Sequence, residues 1–162
     1  MAHTLARSLA LASLVATLAL SGGCGRQTTS PSADPAMTVS SHGAVAVSWG
    51  KDLPSALDRA RSEGKPVLVN FYADWCVWCK RLETTTFRDA EVSVLLRDRV
   101  VPVSLDVDGA GRELSGRYEV DGLPTILVLD ADGREIGRIP GYMPPTGFLE
   151  RVNQLIGGGS TT

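Results

Sequence analysis

The sequence predicts an α/β domain with a central mixed β-sheet flanked by helices, and three observations carry that expectation. Apolar periodicity switches repeatedly between strand-like and helix-like spacing along residues 45–156, and strands that alternate with helices build a sheet with helices packed on its faces. Near the end, two strand-like runs flank Asp132-Gly133, a turn pair that reads as a β-hairpin. Earlier in the chain, Cys76-Val77-Trp78-Cys79 directly follows a buried apolar run and opens a helical stretch.

Each element has its own signal. Residues 45–49 alternate and are apolar enough for a short first strand. Asp52 is placed to cap a helix through Arg61, with Pro54 in its first turn and Gly64 ending it. Residues 67–72 are almost continuously apolar, as in a strand covered on both faces. A helix is expected over 76–87 and a second helical piece over 90–98. Residues 100–107 read as the next strand, 111–118 as a weaker helix and 125–129 as another apolar strand. The turn at Asp132-Gly133 leads into 135–139, and a last helix covers 145–156 before a Gly-rich tail. The expected order is β-α-β-α-β-α-β-β-α.

Composition bounds the function classes. Of 162 residues, 43% are hydrophobic and 21% charged, which is ordinary for a folded domain. A net charge of −2 leaves no basic footprint, so nucleic acid is not an expected partner. No internal repeat is present.

The N-terminus reads as targeting sequence rather than fold. Arg7 precedes an apolar run from Leu9 to Leu20, then Ser21-Gly22-Gly23-Cys24. That run falls short of the roughly 20 apolar residues a spanning helix needs, and the pattern fits an export signal over 1–23. Small residues before a cysteine also resemble the lipobox of bacterial lipoproteins, which would acylate Cys24 and anchor the chain to a membrane. Ser21 departs from that pattern, where an aliphatic residue is usual. The alternative is ordinary signal-peptidase cleavage, with Cys24 left as a thiol. Lipidation also resolves the cysteine count, because three cysteines in an exported chain otherwise leave one unpaired. Residues 24–43 are rich in Ser, Thr, Pro, Gly and Ala and read as a flexible tether to a domain over 44–158.

The Cys-x-x-Cys pair carries the chemistry. Backbone N–H groups at a helix N-terminus stabilise an anion, so Cys76 is the expected attacking thiolate. Cys79, one turn on, is placed to attack a mixed disulfide at Cys76 and release the partner. Two other readings compete. A zinc site needs about four ligands, and only Cys24, His3 and His42 could join, all in the leader or tether. A purely structural disulfide over so small a loop constrains the unfolded chain least. No metal and no cofactor are expected.

At this point the chain resembles a known family. Phe71-Tyr72-Ala73-Asp74-Trp75-Cys76-Val77-Trp78-Cys79-Lys80 resembles the active-site segment of thioredoxin-like proteins, and Val120-Asp121-Gly122-Leu123-Pro124-Thr125 resembles their cis-proline loop. Tyr72 to Val77, Gly122 to Ile126 and Gly141-Tyr142-Met143 are most similar to the C-terminal periplasmic domain of the DsbD thiol:disulfide interchange family. The resemblance covers residues 49–156. It implies a thioredoxin fold, a cis bond before Pro124 facing Cys76, and a Leu123 backbone that pairs with an extended substrate segment. The competing reading of Pro124 is a trans turn proline.

Two positions depart from the family pattern. The family usually carries a buried aspartate six residues before the first cysteine, where this chain has Asn70, which accepts no proton. Glu83 shares the helix face of Cys79 and matches a glutamate of the DsbD domain. It is either the remaining proton acceptor for Cys79 or a solvated partner of Lys80. Trp78 stands where a small residue or proline is usual. With Trp75 it either widens an apolar rim that grips partners or covers the helix end.

The resemblance is to an electron-donating domain, which implies a membrane-tethered reductase acting on exported proteins with thiols or disulfides. The chain has no electron conduit of its own, so a membrane electron donor is an expected partner. A disulfide oxidase or isomerase is the second reading, and a membrane-tethered binding or chaperone module the third. The expected location is the periplasmic side of a bacterial membrane, with a soluble periplasmic or secreted form as the alternative.

Overall fold

The computed structural model describes residues 46–158, so the expected leader, the tether to residue 43, Cys24, His3 and His42 lie outside the described residues. Helix α1 spans Leu53–Glu63 and is bounded by its own sequence. The Asp52 carboxylate accepts from the Ser55 N–H at 2.9 Å, and Gly64 closes the helix in the left-handed conformation at φ 63°. Strand β1 (Val67–Tyr72) follows, then α2 (Val77–Thr84), a 3-10 turn (Thr86–Arg88) and α3 (Ala90–Asp98). Strand β2 (Val101–Asp106), α4 (Arg112–Arg117), β3 (Thr125–Leu129), β4 (Glu135–Pro140) and α5 (Pro145–Gly158) complete the order.

The four strands form one mixed sheet in the order β2-β1-β3-β4. β1 runs parallel to β2, with Tyr72 opposite Asp106, and antiparallel to β3, with Val67 opposite Leu129. β3 and β4 are the expected hairpin. Because β1 is central, its alternate side chains feed two cores. Val67, Val69 and Phe71 pack with Leu53, Ala56 and Ala60 of α1 on one face. Leu68 packs with Leu82 of α2, Leu96 of α3, and Phe148 and Val152 of α5 on the other. This is the thioredoxin fold.

Two expected boundaries are corrected. Among the described residues, 46–49 form no strand, and the chain meets the sheet edge only at a parallel bridge between Gly50 and Val103. The alternation reports side-chain packing instead: Val47 and Trp49 are half-buried against the second core, and the Trp49 ring lies 4.8 Å from that of Phe87. Asp52 then turns the chain into α1 before a ladder can extend. The helix expected over 76–87 stops at Thr84. Three consecutive threonines end it. The Thr84 and Thr85 hydroxyls donate to the carbonyls of Lys80 and Arg81 at 2.8 and 2.6 Å, competing with the backbone ladder. Thr86 instead donates 2.7 Å to the Met143 carbonyl, so the break docks a loop that follows β4.

No described helix is long and apolar enough to cross a membrane.

Candidate active site

β1 delivers the chain to the site through buried Ala73, whose carbonyl accepts from the Cys76 N–H at 3.1 Å. Cys76 is the N-cap of α2: its backbone is extended, and its Sγ accepts from the Cys79 N–H at 3.1 Å. A sulfur therefore fills the capping role usually taken by a Ser or Asp oxygen. The two cysteines are joined by a disulfide, with Cα atoms 5.3 Å apart. Both are buried, at 5% and 2% exposure, yet the residues around them are not. Trp75, Val77 and Trp78 are 69%, 75% and 52% exposed, an apolar collar around the pair.

Facing the collar is the loop before β3. The Leu123–Pro124 peptide bond is cis. Leu123 packs against the cysteine cluster together with Tyr72 and Val107. An open cleft of about 620 Å³ lies between the loop and α2, bordered by Trp75, Cys76, Trp78, Asp121, Gly122 and Leu123. Trp75, Trp78, Leu123 and Cys76 thus meet at one surface, although Leu123 lies far along the chain.

Two contacts were not foreseen. The Trp75 indole N–H donates 2.7 Å to the Asp108 carboxylate, which fixes the ring beside the cleft. The only sequence signal is topological: β2 is the parallel neighbour of β1, so the turn after Asp106 must lie beside the turn after Tyr72. On the other side, the Trp78 and Tyr142 rings lie 5.8 Å apart, and the Arg81 guanidinium sits 5.4 and 5.1 Å from their centroids. Trp78 thus leans on Tyr142 and keeps half its surface at the cleft.

Asn70 is buried in β1 and donates 3.2 Å to the Ser104 hydroxyl, while its Oδ1 has no hydrogen-bond partner among the described protein groups. Glu83 is exposed and makes no ion pair with Lys80 among the described residues. It borders a small opening of about 180 Å³ with Lys51, Asn70, Tyr72 and Ser104. Burial raises the Tyr72 hydroxyl above the usual tyrosine range, assisted by the Asp106, Asp74 and Glu83 carboxylates. Tyr142 goes the other way: its contact with the Thr85 hydroxyl, and then the neighbouring Arg81 guanidinium, lower it.

A disulfide pair whose first cysteine caps a helix opposite a cis-proline loop, on a sheet of this order, defines a thiol–disulfide site of the thioredoxin class. The chain belongs to the thioredoxin-like family, whose domain model matches residues 53–156. It is 41% identical over 124 residues to the thiol:disulfide interchange protein DsbD of Pseudomonas fluorescens, covering 74% of this chain and 21% of that protein. The chain thus spans about a fifth of the length of this curated relative. Among solved structures, a thioredoxin from Thermus thermophilus matches with a TM-score of 0.63 at 35% identity, over 70% of this chain and 91% of that one. The oxidised C-terminal domain of Neisseria meningitidis DsbD matches with a TM-score of 0.55 at 29% identity, over 66% and 98%.

Proposed function

We propose that the chain is an extracytoplasmic thiol–disulfide oxidoreductase that works as a protein-disulfide reductase. The observation that carries this reading is the Cys79 N–H directed at Cys76 Sγ at the start of α2, opposite the cis Leu123–Pro124 bond. In the reduced protein the same donor, with the helix terminus, stabilises a Cys76 thiolate.

The reaction balances in two exchanges. The Cys76 thiolate attacks one sulfur of the partner's disulfide; that S–S bond breaks, the other partner sulfur leaves and takes a proton, and a mixed disulfide forms. Cys79, after losing its proton, attacks Cys76 Sγ and expels the second partner sulfur. The Cys76–Cys79 disulfide remains and two electrons have passed to the partner. Leu123 offers its backbone to an extended partner segment, while Trp75 and Trp78 grip that segment from either side of Cys76.

Cys79 needs a proton acceptor, and Glu83 serves. Asn70 cannot accept the proton, whereas Glu83 lies one helical turn after Cys79 on α2 and borders a small opening together with Asn70 and Ser104. Glu83 acts as the general base for the second exchange, with Asn70 and Ser104 as neutral neighbours.

The resemblance of Tyr72 to Val77 and of Gly122 to Ile126 to the DsbD-family domain supports the reducing direction. The leader over 1–23, lipidation of Cys24 and the tether over 24–43 would hold the domain over 44–158 at the periplasmic side of a membrane. A separate membrane donor would return the pair to the dithiol.

Equilibration against glutathione tests the direction, combined with acid trapping of the pair in cells. A potential near about −270 mV with a mostly reduced pair supports reduction. A potential near about −120 mV with a mostly oxidised pair would instead make the chain an oxidase.

A further inference from the structure

Beside the redox pair, Arg81 is held in an unusual way for an exposed arginine. Its guanidinium lies within cation–π range of both Trp78 and Tyr142, at 5.4 and 5.1 Å. Neither ring is loose. Tyr142 follows Gly141, whose N–H donates 2.7 Å to the Pro124 carbonyl, and precedes Met143, whose carbonyl accepts from Thr86. The Tyr142 hydroxyl lies 3.4 Å from the Thr85 hydroxyl, within hydrogen-bond reach. The loop is therefore clipped to the cis-proline on one side and to the end of α2 on the other.

The guanidinium lies over both rings, and its fork of N–H donors is the kind of group that receives a carboxylate. Among the described residues no carboxylate pairs with Arg81, and the neighbouring exposed Lys80 adds a second positive charge. The opposite flank of Cys76 has the reverse sign. Asp108 anchors Trp75 there, and Asp121 borders the cleft. A segment laid across Cys76 meets carboxylates at the Trp75 end and a fixed cation at the Trp78 end.

We propose that Arg81, stacked with Trp78 and Tyr142, is a specificity-determining ledge, and that the proteins reduced at this site carry an acidic side chain near their reactive cysteine. The proposal rests on the redox reading above and adds the chemistry by which partners are chosen. The charge asymmetry also orients the partner, with its acidic residue toward α2 and any basic residue toward Asp121.

The test uses the full chain, pre-reduced and freed of reductant, with three model peptides each closed by one disulfide. The peptides differ only in carrying Glu, Gln or Lys beside the cysteine. The Glu peptide is expected to be reduced about three- to five-fold faster than the Gln peptide, with Lys slowest, as befits one exposed charge pair. The preference should fade at high salt, should vanish in Arg81→Gln, and should fall in Arg81→Lys, which keeps charge but loses the planar stack. Equal rates for the three peptides with the wild-type chain would overturn the ledge while leaving the redox reading intact, as would a Glu preference that survives Arg81→Gln. Hydroxyethyl disulfide, small and uncharged, separates the two levels: failure of the wild-type chain to reduce it and all three peptides sinks the redox reading itself.

Discussion

The Gly141 amide donates 2.7 Å to the carbonyl oxygen of Pro124, which ties the loop after β4 to the cis-proline. Gly141 holds φ 78°, a left-handed conformation that other residues adopt at a cost. A Cβ there would meet nothing within 4 Å, so the penalty for a side chain is conformational rather than steric. Gly141→Val is expected to lower unfolding free energy by about 1–2 kcal/mol, and Gly141→Asn by less. Urea denaturation checks the order, and a Val variant as stable as wild type would refute it.

The cysteines are expected to fail differently when replaced. Cys79→Ser should accumulate a mixed disulfide through Cys76, visible on non-reducing gels and by mass, because the first exchange proceeds and the second cannot. Cys76→Ser should trap no partner, since Cys76 borders the open cleft and Cys79 does not. Equal trapping by the two variants would contradict the assignment of nucleophile and resolving thiol.

Glu83→Gln should shift the pH dependence of the resolving exchange upward while leaving alkylation of Cys76 in the reduced protein unchanged. The rate at neutral pH is expected to fall about 10²-fold, the lower end of the usual range for a general base. Rapid-quench measurement of mixed-disulfide decay reads this step directly. An unaltered pH profile removes Glu83 from the proton path.

The three tyrosines should titrate separately. Tyr142 is lowered by its contact with the Thr85 hydroxyl and by the neighbouring Arg81 cation, whereas Tyr72 and Tyr118 are raised, in each case chiefly by burial. The phenolate absorbance should rise first with one tyrosine below about pH 10 and then with two above it. Tyr142→Phe should delete the early phase. The sign for stability follows: the depressed Tyr142 contributes only above its unfolded-state value and loses that contribution as pH falls through its folded-state value, so it adds nothing at neutral pH.

Phe148 is fully buried, with its ring edge-on to Phe87 at 5.7 Å. Phe148→Ala should cost about 3–5 kcal/mol through lost burial and the cavity left behind. Loss of less than about 1 kcal/mol in chemical denaturation would mean that α5 repacks freely.

Much of the architecture was legible because its signals are local. Asp52 and Gly64 bound α1 through their own capping geometry, and the apolar run of β1 announced a strand covered on both faces. The Cys-x-x-Cys pair and Pro124 were likewise readable from motif and spacing. The failures came where pattern and packing give the same signature. Residues 46–49 alternate because Val47 and Trp49 touch the core, and burial alone produces that alternation without a ladder. The end of α2 depended on threonine hydroxyls competing for carbonyls, a contest that helical periodicity does not register.

The sequence by itself determined the redox pair and the helix that it caps, since each depends on residues close together in the chain. Only the tertiary structure decided which distant groups surround that pair. Trp75 meets Asp108, 33 residues away, because β2 lies parallel beside β1. Arg81 meets Tyr142 because β3 and β4 return antiparallel and the loop after them is clipped to Pro124. Strand order is a property of the whole sheet, set by how two cores are buried at once, and no local stretch of sequence encodes it.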